Sequence, residues 1–73
     1  MPHINIKHFP GVTQQQEVNL VKGITALLCD TLHCEAGAVS IAMQAISPEQ
    51  WQEKVVQKEI EPAAERLVKK PNY

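Results

Sequence analysis

This chain has little of what usually announces a partner. Seven Lys and Arg stand against eight Asp and Glu, a formal net charge of −1 over 73 residues. Such a balance leaves no electrostatic footprint for nucleic acid or for an anionic membrane surface. No apolar run approaches the ~20 residues of a membrane span, and the first residues lack the basic start and apolar stretch of a secretion signal. The expectation is a soluble cytoplasmic protein with no nucleic-acid and no membrane partner. Only two cysteines are present, Cys29 and Cys34. Two are too few for a disulfide framework, and in a reducing compartment they are expected to be free thiols. Together with His3, His8 and His33 they match no zinc-ligand spacing. No metal and no cofactor is expected, and no base stands arranged beside either cysteine to make it a nucleophile.

Aromatic residues are equally scarce: one Phe, one Trp and one Tyr. A chain of this length forms one domain, here residues 1–73. It buries only about 60% of its unfolded surface and is marginal alone. With neither disulfide nor metal to help, oligomerisation becomes the expected stabiliser.

What is present is regular. Residues 3–9 alternate: Ile4, Ile6 and His8 on one side, His3, Asn5, Lys7 and Phe9 on the other. Period two with β-branched residues predicts a strand, ended by Pro10-Gly11. Thr13 to Gln16 carries the pattern of a capping box. Val18, Val21, Ile24, Leu28 and Leu32, widened by Leu20 and Leu27, recur at helical steps and predict an amphipathic helix over 14–33. Gly23 weakens it by roughly 1 kcal/mol against Ala, a cost that close packing would explain. Val39, Ile41, Met43 and Ala45 alternate with Ser40, Ala42 and Gln44 and predict a second strand over 39–46. Strand, long helix and strand make a βαβ unit with parallel strands and a right-handed crossover, an α+β fold. Ser47-Pro48-Glu49-Gln50 opens a further helix. Pro62 interrupts it, yet Ala63 to Lys70 are good helix formers. The expectation is a C-terminal helical segment over 48–70, with Lys69 and Lys70 at a negative helix end.

One βαβ unit leaves two open strand edges and an uncovered sheet face. Two copies about a twofold axis would pair edges into a four-stranded sheet. The C-terminal third then takes over part of the covering role, which favours a homodimer over a hexameric ring.

The chemistry-bearing feature is Pro2. A small residue after an initiator Met usually permits its removal, which would leave Pro2 as a free secondary amine at the head of a strand. A chain-end amine has a reference pKa of roughly 7.7–8.0, and desolvation or a nearby cation lowers it towards the working pH. Pro2 is thus a candidate general base. The plain alternative is that Pro after Met is only a processing signal. Lys7 could donate to a bound substrate, or serve as an edge-strand charge that discourages aggregation. Trp51 could be a core plug or a pocket wall. Arg66, the sole arginine, reads as a solvated helix charge or as a carboxylate ligand reaching across a dimer.

Pro directly after Met, a strand such as His3–Phe9, a long helix opened by Thr13, a second strand from Val39 and an aromatic at Trp51 together resemble the 4-oxalocrotonate tautomerase family. These are small enzymes that use an amino-terminal proline as base. The likeness spans about residues 2–55. Ser40-Ile41-Ala42, Trp51-Gln52, Glu59-Ile60, Pro62 and the ending Lys69-Lys70-Pro71-Asn72-Tyr73 are similar to the PptA-type branch, which ends Lys-Lys-Pro-Gly-Tyr. The resemblance implies Pro2 as catalytic base, Trp51 as pocket aromatic and Phe9 as an apolar pocket position. The family's two carboxylate-binding arginines fall on Val12 and Ser40. A guanidinium fork is worth roughly 1.5–3 kcal/mol per charged hydrogen bond; Val12 offers nothing polar, and Ser40 one neutral donor, which makes Ser40 the candidate substrate-binding group there. A dicarboxylate should bind poorly. A small enol or 2-keto acid such as an aryl-pyruvate fits a cavity lined by Phe9 and Trp51 better. The competing readings are a non-catalytic homo-oligomeric binding protein on the same fold, and a hydratase or dehalogenase, which would need more charged groups than this sequence supplies.

Overall fold

The computed structural model describes residues 1–73, and its two strands lie where the alternating stretches fall. Strand β1 (His3–His8) pairs in parallel with strand β2 (Ser40–Ala45), His3 opposite Ser40 through to His8 opposite Ala45. Two backbone bonds continue the ladder beyond both ends. The Ser40 N–H donates to the Pro2 carbonyl (3.1 Å), and the Ile46 N–H donates to the His8 carbonyl (2.8 Å). Since side chains alternate across a sheet, His3, Asn5 and Lys7 share a face with Ser40, Ala42 and Gln44. Ile4, Ile6 and His8 share the opposite face with Ile41, Met43 and Ala45.

The crossover is helix α1 (Gln14–Leu32). It begins in a reciprocal capping box. The Gln16 N–H donates to Thr13 Oγ1 (3.1 Å), while the Thr13 N–H donates to Gln16 Oε1 (2.9 Å), so two of the four orphan donors of the first turn are satisfied. Gly11 precedes it with φ 108°, a conformation in which a side chain would be strained. The helix stops one residue before the expected end. His33 turns left-handed (φ 55°, ψ 49°), and its N–H and that of Cys34 both bond the Cys29 carbonyl. A short 3-10 turn (Ala36–Ala38) leads into β2.

The second helix, α2, begins at Pro48 and continues beyond Trp51 as a wider π-helical stretch over Gln52–Ile60. Ser47 caps it through its backbone carbonyl, which accepts from Gln50, and not through its side chain. The expected helix to residue 70 is not formed. The last helical bond runs from the Glu61 N–H to the Val56 carbonyl (2.8 Å). Pro62 cannot donate the next one. Only a 3-10 turn (Ala64–Arg66) follows, and Leu67 returns to extended backbone. Lys69 and Lys70 therefore stand on no helix end.

The single chain is open. Ile46 and Val55 are its only buried residues, and neither is completely enclosed. Its radius of gyration is 13.9 Å, against about 11 Å for a compact domain of this length. Helix α1 half-buries Ile24, Thr25, Leu28 and Cys29 and leaves Val18, Leu20, Val21, Leu27 and Leu32 exposed. A methyl group added at Gly23 would meet nothing within 4 Å, so nothing inside this protomer requires glycine there. Each strand keeps one unpaired edge. No helix is long and apolar enough to cross a membrane.

Candidate active site

The residues singled out by sequence fall into two clusters at opposite ends of β1. At its head, half-buried Pro2 accepts the Ser40 N–H on its carbonyl. The parallel register sets Ser40, the first residue of β2, opposite His3, the first of β1, so its N–H reaches the carbonyl one residue earlier. The Ser40 hydroxyl is already engaged: its Oγ lies 2.7 Å from His3 Nδ1. Met1 projects outward, 95% exposed.

At the tail of β1, Phe9 leaves the ladder and meets Trp51 on the second helix. The rings pack edge to face, centroids 5.0 Å apart and planes at 86°, the arrangement that sets a positive ring edge against a negative face. Trp51 Nε1 donates to the Tyr73 hydroxyl (3.3 Å), so the tail folds back onto the indole. The three aromatic residues of the chain thus form one cluster, with Phe9 51% exposed at its rim. Between Pro2 and Phe9 run seven residue steps of extended chain, about 23 Å at the usual rise. Pro2 and Ser40 come together, and Phe9 and Trp51 come together, but one protomer does not bring the two pairs to a common cavity.

Lys7 is committed elsewhere. Its Nζ forms a salt bridge with Glu59 Oε2, tying β1 to the π-helical stretch. Arg66 lies exposed at the end of the 3-10 turn after Pro62, on no α-helix. Val12 lines a shallow open groove with Gln16, Asn19 and Leu20, two apolar and two neutral amide side chains. Cys29 and Cys34 are free, half-buried thiols. Burial first, and then the neighbouring Cys34 thiol, push the Cys29 thiol above its ordinary range. No three metal-ligating side chains converge.

Two residues that the sequence reading did not place at a site belong to these clusters. His3 had no visible partner, because the register that faces it with Ser40 joins residues 37 apart. Tyr73 read as a tail; its contact with Trp51 spans 22 residues. The resemblance to a family that ends in Lys-Lys-Pro-Gly-Tyr was the only signal pointing to it.

The βαβ unit thus carries Pro2 at the head of its first strand, with Ser40 bonded to its carbonyl, and the Phe9–Trp51 pair at the far end. Residues 2–59 match the family model described as "Tautomerase enzyme", and the chain belongs to that family. Among its relatives are proteins named Tautomerase PptA. That of Shigella sonnei strain Ss046 is 45% identical over 74 aligned residues, covering 100% of this chain and 97% of the relative. Those of Escherichia coli O139:H28 strain E24377A / ETEC and of Escherichia coli O157:H7 are each 43% identical with the same coverage.

Proposed function

We propose that this chain is a keto–enol tautomerase that works through Pro2, freed by removal of Met1, on a small enol or 2-keto acid of the phenylpyruvate kind. The observation that carries this reading is the position of Pro2 at the head of β1, half-buried and beside Ser40, in a chain of the tautomerase family. Exposed Met1 is open to an aminopeptidase. The neutral amine of Pro2 takes a proton from the enol hydroxyl or from an activated carbon. The resulting prolinium returns it to another atom of the same substrate, so one group acts as base and then as acid, which requires a pKa near neutrality. Charge developing on the enolate oxygen needs a donor; with Ser40 at the family's carboxylate-binding position and Lys7 held by Glu59, a backbone N–H near Pro2 is the candidate.

The working unit in this reading is a homodimer. A twofold axis that pairs two copies of an edge strand sets them antiparallel. The head of β1 in one copy then lies towards the tail of β1 in the other. Pro2 and Ser40 of one protomer would meet Phe9 and Trp51 of its partner, and the exposed stripe of α1 would find cover. Free thiols suit a reducing, cytoplasmic setting.

Val12 and Ser40 at the family's arginine positions favour a second reading, a homo-oligomeric binding protein without catalysis. The two are separated by following ketonisation of phenylpyruvate enol in the ultraviolet, with Pro2→Ala beside the wild type and intact mass to establish Met1 removal. The expected outcome is a processed protein whose rate falls at least about 100-fold in the variant, the scale of a lost general base. Equal rates, or a mature chain that keeps Met1 and so holds Pro2 nitrogen as an amide, refute the mechanism.

A further inference from the structure

The side chain nearest the Ser40 hydroxyl is His3, and the two are the first aligned pair of the sheet. A hydroxyl has one proton to give and two lone pairs. At 2.7 Å from His3 Nδ1, Ser40 Oγ must either give that proton to the ring or accept one from it. If Nδ1 carries no hydrogen, Ser40 spends its proton on His3 and presents only lone pairs to the site, which repel an anion. If Nδ1 carries a hydrogen, Ser40 accepts from the ring, and its own proton is free to point at a substrate oxygen. His3 therefore decides whether Ser40 is a donor or an acceptor next to Pro2.

We propose that His3 is a positioning residue for substrate binding: its Nδ1–H donates to Ser40 Oγ, and the Ser40 hydroxyl donates in turn to the anionic oxygen of a 2-keto acid or its enol held beside Pro2. The proposal rests on the reading of Pro2 as the reacting group. A chain of two such bonds strengthens each link by polarisation. The other charges on this sheet face are Lys7, two same-face positions along β1, with its partner Glu59 from the π-helical stretch. The freed amine of Pro2 lies next along the chain. The first two hold each other, which leaves the His3 ring as the side chain in contact with Ser40.

The test uses the full-length processed protein with three variants. His3→Leu removes the ring hydrogen bond, His3→Asn keeps a side-chain N–H at nearly the place of Nδ1, and Ser40→Ala removes the hydroxyl. For phenylpyruvate enol, His3→Leu and Ser40→Ala are each expected to raise KM about tenfold, the worth of one charge-assisted hydrogen bond, with kcat changed far less. His3→Asn restores most of the loss. With the enol of phenylacetaldehyde, which has no carboxylate, the KM of His3→Leu stays close to that of the wild type. An equal loss for both substrates, or an unchanged KM for the acid, overturns the proposal. A binding measurement keeps it separate from the fate of Pro2. Titration with 3-phenylpropanoate, an unreactive carboxylate, should shift the ring 15N signals of His3 towards the Nδ1–H form, even in Pro2→Ala. No shift in either background overturns the role of His3, whereas a Pro2→Ala variant that turns over like wild type and still shows the shift overturns only the assignment of the base.

Discussion

If the site is shared between protomers, two dead variants should revive each other. Pro2→Ala removes the base at the head of β1. Trp51→Ala removes an indole that packs on Phe9 and bonds Tyr73 at the far end. Loss of that wall costs on the order of 2 kcal/mol of apolar contact, about a 30-fold drop in kcat/KM. Seven extended steps, about 23 Å, separate Pro2 from Phe9 within one chain, too far for a small enol to touch both. Unfolding an equal mixture of the two variants and refolding it together should give heterodimers as about half of all dimers. Each heterodimer holds one site with Pro2 from one chain and Trp51 from the other, and one site lacking both. The mixture should therefore recover about one quarter of wild-type activity, read in the same ketonisation assay against each variant refolded alone. Activity no greater than the mean of the parents, with heterodimers verified by mass, would refute a shared site and force Pro2 and Trp51 into separate roles.

Three further outcomes can be checked on the same protein. The Lys7–Glu59 bridge joins groups 22% and 45% exposed, so Glu59→Gln should lower stability by less than about 1 kcal/mol, read as a small loss in urea midpoint. Lys7→Met should leave kcat within about threefold, since Glu59 holds its ammonium; a fall of 100-fold or more would make Lys7 the oxyanion group. Because burial and Cys34 raise the Cys29 pKa, its thiolate forms only at higher pH than in a free thiol. Alkylation of Cys29 by iodoacetamide should then rise at a more alkaline pH than that of a cysteine peptide. A profile at or below that of the peptide would contradict the assigned environment.

Much of the scaffold was legible in the sequence because it rests on local rules. Period-two alternation placed β1 and β2, apolar residues at helical steps placed α1, and Thr13 with Gln16 marked its start, since a capping box needs only residues three apart. Local rules failed where two of them competed. Ala63 to Lys70 favour a helix one residue at a time, but Pro62 removes the bond that would join them to the preceding turn, and the chain goes extended from Leu67. Of the candidate site, Pro2 was legible as a chain-end amine, while Phe9, Ser40 and Trp51 were legible as site residues only through resemblance. Composition and pattern by themselves determined a βαβ unit with too little core to stand alone and a proline at its head. Tertiary structure alone decided that His3 faces Ser40, that Trp51 collects Phe9 and Tyr73, and that these two clusters lie a strand's length apart. The physical reason is that each of these depends on strand register or on a tail folding back, contacts over 37 and 22 residues, whose partners no local periodicity can name.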